Sequence, residues 1–317
     1  MSYVLLLALL CGCAPSDDDA SYQNCISFTP MGNQSTRATP TTATNITSFG
    51  VSCSIYPSAS TYTSAGCGSY FYNERINTSV GNSGYFWPGS SYKVSFFAYQ
   101  PYGNSALTLS SSRNKTGYPT YAYTVPSQVG AQLDFMTADV LNQAGTPTKT
   151  PVSLNFHHRL TDIRFTVTNE NPTNVLTLKS ITILGMKYAG TFEGNVWTLT
   201  GSANTVSQNP FIFNANQSIP ASGTVDVTGT TYHFMLLPQT VAAGTTFLTV
   251  KTTEGGEEHT YTHVLTQNLV LQQGKSYLFH LTLGGGSLIV DPVTAVTDWE
   301  IDQQNIEEGK LDVNDWL

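Results

Sequence analysis

Charge is the scarcest property of this 317-residue chain. Lys and Arg number 13, Asp and Glu 21, and charged residues make up 11% of the total, under half the usual share of about 25%. Not one Lys or Arg precedes Arg37. With a net charge of −8 and no basic stripe, there is nothing to track phosphates, which excludes a nucleic-acid partner. Cysteine is also scarce, at five, and no Cys/His set has zinc spacing. A Gly-rich phosphate loop and a Gly-x-Ser-x-Gly elbow are both missing, so nucleotide binding and serine hydrolysis have no support. No cofactor is expected and the chain does not read as an enzyme. Apolar runs long enough to span a bilayer, roughly 20 residues, are lacking too.

What is present begins at the N-terminus. A short apolar run from Val4 ends in Leu10-Cys11-Gly12-Cys13. Small residues and a Cys after such a run read as a lipoprotein signal: residues 1–12 are removed and the Cys13 thiol carries the lipid. Residues 13–24, acidic at Asp17-Asp18-Asp19, then form a tether from an outer-membrane anchor. Cys25, Cys53 and Cys67 remain, an odd number for an oxidising compartment. The simplest arrangement is a Cys53–Cys67 disulfide across a Gly/Ser/Tyr-rich excursion. Closing that loop would stabilise by about 3 kcal/mol in the chain-entropy model.

Period-two alternation dominates the rest. It is clear in Val94–Tyr99, Ile163–Val167 and Tyr277–Leu283, runs rich in aromatic and β-branched residues. Helical period never persists beyond two turns, and short helical turns are expected near Gln132–Asn142. The fold class is therefore all-β, of sandwich type. A Gly/Pro/Thr-rich connector, Asn142–Pro151, divides the chain into β-sandwich domains at 25–148 and 149–286. The segment Ser35–Ser48 reads as a loop or weakly held edge strand. A tail, 287–317, follows Gly284-Gly285-Gly286.

Few constellations carry chemistry. His157 and His158 are adjacent and, in a strand, face opposite sides, which favours structural roles. Alternation changes phase near Arg159–Asp162, predicting a bulge or turn. Glu254-Gly255-Gly256-Glu257 reads as a hairpin turn with solvated charges. Paired carboxylates for glycoside hydrolysis need two acids across a cleft, and these acids lie in turns and tails. The aromatic clusters Tyr70-Phe71-Tyr72, Tyr85-Phe86-Trp87 and Tyr118–Tyr123 suit either a core or a sugar platform.

Three clusters taken in order add a resemblance. Tyr85-Phe86-Trp87-Pro88 precedes Val94–Pro101. Val152–Val167 is followed by Gly190-Thr191-Phe192 and Trp197. Phe234–Gln239 is followed by Gly274-Lys275-Ser276-Tyr277 and Val296-Thr297-Asp298-Trp299. This set resembles the fimbrillin family of Bacteroidales, the subunits of type V pili, and the acidic tether resembles export signals of Bacteroidales surface lipoproteins. The resemblance implies two transthyretin-like β-sandwich domains in tandem and a surface-exposed lipoprotein of the outer membrane and fimbrium. It implies cleavage at Arg37 and assembly with other fimbrial subunits by strand exchange. The donor segment runs from Leu288 to Val296, with Leu288, Val290, Val293 and Val296 as its apolar contacts. Adhesion to a host or bacterial surface ligand would follow. The alternative is a glycan-binding surface lipoprotein of a polysaccharide-uptake system.

Overall fold

The structure, a computed structural model, describes residues 24–32, 46–62, 67–111, 118–148, 150–229, 232–291 and 295–298. It is nearly all β. In chain order the strands are β1 (Cys25–Gly32), β2 (Ser48–Pro57), β3 (Gly68–Asn77), β4 (Asn82–Phe86), β5 (Tyr92–Gln100), β6 (Leu107–Leu109), β7 (Tyr121–Thr124), β8 (Met136–Ala144) and β9 (Val152–His158). There follow β10 (Thr161–Asn169), β11 (Leu176–Ile183), β12 (Lys187–Glu193), β13 (Val196–Ala203), β14 (Phe211–Ile219), β15 (Thr224–Asp226) and β16 (Phe234–Leu236). The last are β17 (Gln239–Val241), β18 (Thr246–Glu254), β19 (Glu257–Val264), β20 (Leu269–Leu271), β21 (Lys275–Gly284), β22 (Ser287–Val290) and β23 (Ala295–Asp298).

The N-terminal sheet runs β3-β2-β5-β8-β9-β1-β4. Its core is one face of alternating strands: Phe49, Val51 and Cys53 of β2 meet Val94, Phe96 and Ala98 of β5. The opposite face of β5 is covered as well. Phe97 packs with Tyr56, Tyr62 and Tyr118, which is why β5 is buried on both sides.

The C-terminal half is a sandwich. One sheet joins β10 to β21 in parallel and to β15 and β16 antiparallel. The facing sheet runs β14-β11-β18-β19. Between them lie Ile163, Phe165, Val167, Phe279 and Leu281 from the first sheet and Leu178, Ile181, Ile183, Leu248 and Val250 from the second. A bulge between Leu178 and Ser180 shifts the phase of β11, so both Leu178 and Ile181 point inward. The β18–β19 hairpin turns at Gly255 and Gly256, both at positive φ, as the Glu254–Glu257 spacing predicts. The phase break at Arg159 is the short connection between β9 and β10.

Two expectations change. Residues 132–142 hold no α-helix: a single 3-10 turn lies at Val129–Ala131 and β8 follows. The cause is tertiary, since Met136 and Ala138 alternate into the core and pair with β5. The 148/149 division also fails as a sheet boundary. β9 lies beyond it, yet pairs with β1 and β8 of the N-terminal sheet. Conversely β7 leaves that half and pairs with β12, and its Tyr121 and Tyr123, with Val125 and Phe135 beyond it, join the C-terminal core.

Candidate functional site

The site is β1. Alternation in Cys25-Ile26-Ser27-Phe28 makes it a strand, and its inward residues are completely covered: Ile26 is 0% and Phe28 2% exposed. Its two halves have different partners. The first pairs antiparallel with β4, Cys25 opposite Phe86 and Ser27 opposite Asn82. The second pairs parallel with β9, from Phe28 opposite Val152 to Gly32 opposite Phe156. β4 has no other ladder partner among the described residues. Thus β1 ties β4 to the rest of the sheet.

Several contacts seat it. The Phe28 N–H donates to the Gly81 carbonyl at 2.8 Å, and the Trp87 N–H to the Asn24 carbonyl at 3.0 Å. The Ser83 hydroxyl donates to the Ile26 carbonyl at 2.8 Å. Gly81 sits at φ +69°, and a Cβ there would lie 2.8 Å from the Phe28 oxygen. Only glycine fits that approach. Beneath Phe28 lies Phe96, and against Phe96 lies Trp87, rings 6.0 Å apart at 88°. Burying Ile26 and Phe28 contributes about 1.5–3 kcal/mol each.

The sequence-predicted sites fall variously. Cys13, Arg37 and Val293 lie outside the described residues. Leu288 and Val290 are on β22, half-buried against the C-terminal core. β22 pairs antiparallel with β21, Leu288 opposite Leu283 and Val290 opposite Leu281. Val296 is on β23, which pairs with the start of the same strand, opposite Tyr277. In this structure the tail therefore completes its own sheet.

The structure shows no Cys53–Cys67 disulfide. Geometry explains it. Cys53 points into the core with Phe96, whereas Cys67 packs on the Tyr56–Tyr62–Phe97 side. Phe96 and Phe97 are successive strand residues, so the two thiols are on opposite faces of the sheet. Burial raises the Cys53 thiol well above its ordinary pKa, which makes it inert. Cys67 donates to the Tyr62 carbonyl at 3.0 Å.

A polar joint connects the two cores. His158 Nδ1 lies 2.8 Å from Asp134 Oδ1, both side chains buried, while His157 is half-buried on the other face. Arg159 Nε–H donates to Thr137 Oγ1 at 2.7 Å, and its guanidinium lies over the Phe192 ring at 5.4 Å. The Trp197 indole N–H donates to the Arg159 carbonyl at 2.6 Å. The aromatic clusters mostly turn inward. Phe71, Trp87, Tyr121 and Tyr123 are buried, and Tyr85 stacks on Phe71 at 4.5 Å.

The profile described as fimbrillin-like matches residues 36–316. The chain belongs to the fimbrillin-like family. Solved structures share its fold. A fimbrial protein from Bacteroides vulgatus is 17% identical, with a TM-score of 0.63, covering 87% of this chain and 99% of that one. A candidate cell adhesion protein from Bacteroides ovatus is 17% identical, with a TM-score of 0.57, covering 87% of this chain and 96% of that one. No match was found among curated proteins.

Sequence reasoning placed cleavage at Arg37 but did not identify which strand cleavage would free. The signal was there: four alternating residues just after the tether, with two large apolar side chains at the same parity.

Proposed function

We propose that this fimbrillin-like chain is a fimbrial subunit, anchored through Cys13 at the outer surface and assembled by strand exchange. The observation that carries the reading is the position of β1. It lies between β9 and β4, fills the N-terminal core with Ile26 and Phe28, and ends at Gly32, upstream of Arg37. Cleavage at Arg37 would sever β1 from the chain that follows. Its departure would leave a slot with an unpaired β9 edge and an open apolar floor at Phe96. Such an edge accepts a strand from another molecule: main-chain hydrogen bonds supply affinity and alternate side chains supply register. The donor is the Leu288–Val296 segment, which on this reading leaves β21 to enter another subunit.

The role is structural and adhesive, without catalysis. A glycan-binding role draws no support from the aromatic clusters, whose largest members are spent on the core. Two variants test assembly: Arg37→Ala, and truncation before Ser287. Each should remain a folded monomer that forms no ladder on unboiled gels with protease-treated partners. Parental ladders from both variants would defeat the reading. Loss of membrane association and of an acyl mass in Cys13→Ala would test the anchor.

A further inference from the structure

β13 is the edge of the sheet β13-β12-β7-β6, and it lacks the usual protection of an edge. Its sequence, Val196-Trp197-Thr198-Leu199-Thr200-Gly201-Ser202-Ala203, holds no charge and no proline, the devices that commonly stop an edge from pairing. β12 is its only ladder partner among the described residues. Val196, Thr198 and Thr200 are exposed. Trp197 and Leu199 pack on the core, and the indole bond to the Arg159 carbonyl holds the strand in place. β14 is also uncharged, but its edge is taken at Ile212 by the Ser127 carbonyl, at 2.8 Å. Asn216, at φ +49°, then breaks its line.

The hairpin geometry says which backbone groups of β13 are free. Gly194 and Asn195 turn the chain at φ 54° and 70°, both positive as in a type I′ turn. The residues flanking such a turn, Glu193 and Val196, exchange both backbone bonds, and bonded and non-bonded pairs then alternate along the ladder. With Thr191 opposite Thr198 and Ala189 opposite Thr200, the backbone groups of Val196, Thr198 and Thr200 turn to β12. A Cβ at Gly190 would lie 3.0 Å from the Thr198 oxygen, as that direction requires. The N–H and C=O groups of Trp197 and Leu199 therefore point away from the sheet.

We propose that these groups pair with the same groups of a second copy of this chain, β13 on β13, antiparallel about a twofold axis at Thr198. In that register Trp197 of each copy exchanges both bonds with Leu199 of the other, Val196 faces Thr200, and Thr198 faces its own counterpart. Centring the axis on Trp197 would set Leu199 against the turn at Asn195, and centring it on Leu199 would set Trp197 against the irregularity at Gly201. The missing charge is what permits self-pairing: a charge near the axis would meet its like across it. The contact is small against the roughly 800 Å² per partner of a standard interface. Single chains therefore pair weakly, and rows of subunits pair through multiplicity, which joins subunit arrays side by side. The contact uses neither β1 nor the tail, so it stands or falls apart from strand exchange.

Cross-linking of the full, uncut chain tests it. Opposed residues of a non-bonded antiparallel pair have Cα atoms about 4.5 Å apart, within disulfide reach. Thr198→Cys should therefore give a disulfide-linked dimer on mild oxidation, above the parent's background. Val196→Cys alone should not, because its counterpart lies about 13 Å away along the strand. A mixture of Val196→Cys and Thr200→Cys chains should cross-link. Adding Thr198→Lys to both chains of that mixture sets like charges face to face and should cut the yield about threefold or more at low salt. The yield should recover in about 1 M salt. Equal yields from Thr198→Cys and Val196→Cys would mean random collision and overturn the proposal, as would no dimer above background from Thr198→Cys. Cross-links from Thr198→Cys to a parental thiol and not to its counterpart would show that the edge meets another part of the chain, and would overturn the twofold pairing.

Discussion

The rings of Phe28 and Phe96 meet near a right angle, centroids 5.0 Å apart with planes at 83°. Phe28 belongs to β1 and Phe96 to the middle of the sheet, so this contact is where β1 grips the N-terminal core. Phe28→Ala should destabilise the uncut chain by about 3–5 kcal/mol, measured by urea unfolding. In a chain that has been cut and has lost β1, the same substitution should change nothing, because the residue has left.

The buried His158–Asp134 pair makes a second prediction. Removing one partner of a buried pair strands the other. Asp134→Ala should therefore cost about 1–3 kcal/mol, the loss of a buried hydrogen bond. The double variant with His158→Ala should cost clearly less than the two single changes added. Additive losses in a double-mutant cycle would show that the two side chains do not act as a pair.

Asp139 faces a small cavity lined by Tyr118, Tyr121 and Phe192. Burial raises its carboxyl above the usual carboxylate range, and Arg159 and His157 pull it back only in part. A raised folded pKa means that the fold binds the proton more tightly than the unfolded chain does. Stability from this group is then greatest below the unfolded value, about 3.9, and falls as pH rises through the folded value. Asp139→Asn should raise the Tm at pH 7 and leave it nearly unchanged below pH of about 4. Melts across that range check it, and an equal gain at both ends would contradict the assignment.

Cys53 and Cys67 lie on opposite faces of a sheet, which makes reductant irrelevant to this pair. Thiol labelling of the unfolded chain without reductant should find Cys53 and Cys67 both reactive, and dithiothreitol should leave the Tm of the native chain unchanged. A Cys53–Cys67 peptide in non-reducing maps would contradict the structure.

Strand content was legible because period two is local: Val94–Tyr99 and Ile163–Val167 show it without knowing their neighbours. The Glu254–Glu257 hairpin was legible for the same reason, since Gly255-Gly256 supplies the positive φ that the turn needs. What was illegible was pairing at a distance. Nothing local tells that Tyr121–Thr124 will cross to Lys187–Glu193, or that Val152–His158 will turn back to β1. The connector at Asn142–Pro151 carries the composition of a domain linker, yet it joins β8 to β9 within one sheet. Cys53 and Cys67 are close in sequence, and only the facing of Phe96 and Phe97 shows why they cannot meet. At the candidate site Arg37 and the tail stood out by composition, whereas β1 acquired meaning only when its place between β9 and β4 was known.

The central claim is that β1 is removed before this chain joins a fimbria. Mass spectrometry of subunits recovered from assembled polymer tests it directly. The account predicts subunits that begin at Ala38 and contain no peptide from Cys25–Gly32. Polymer whose subunits retain Cys25–Gly32, covalently or bound, would contradict it.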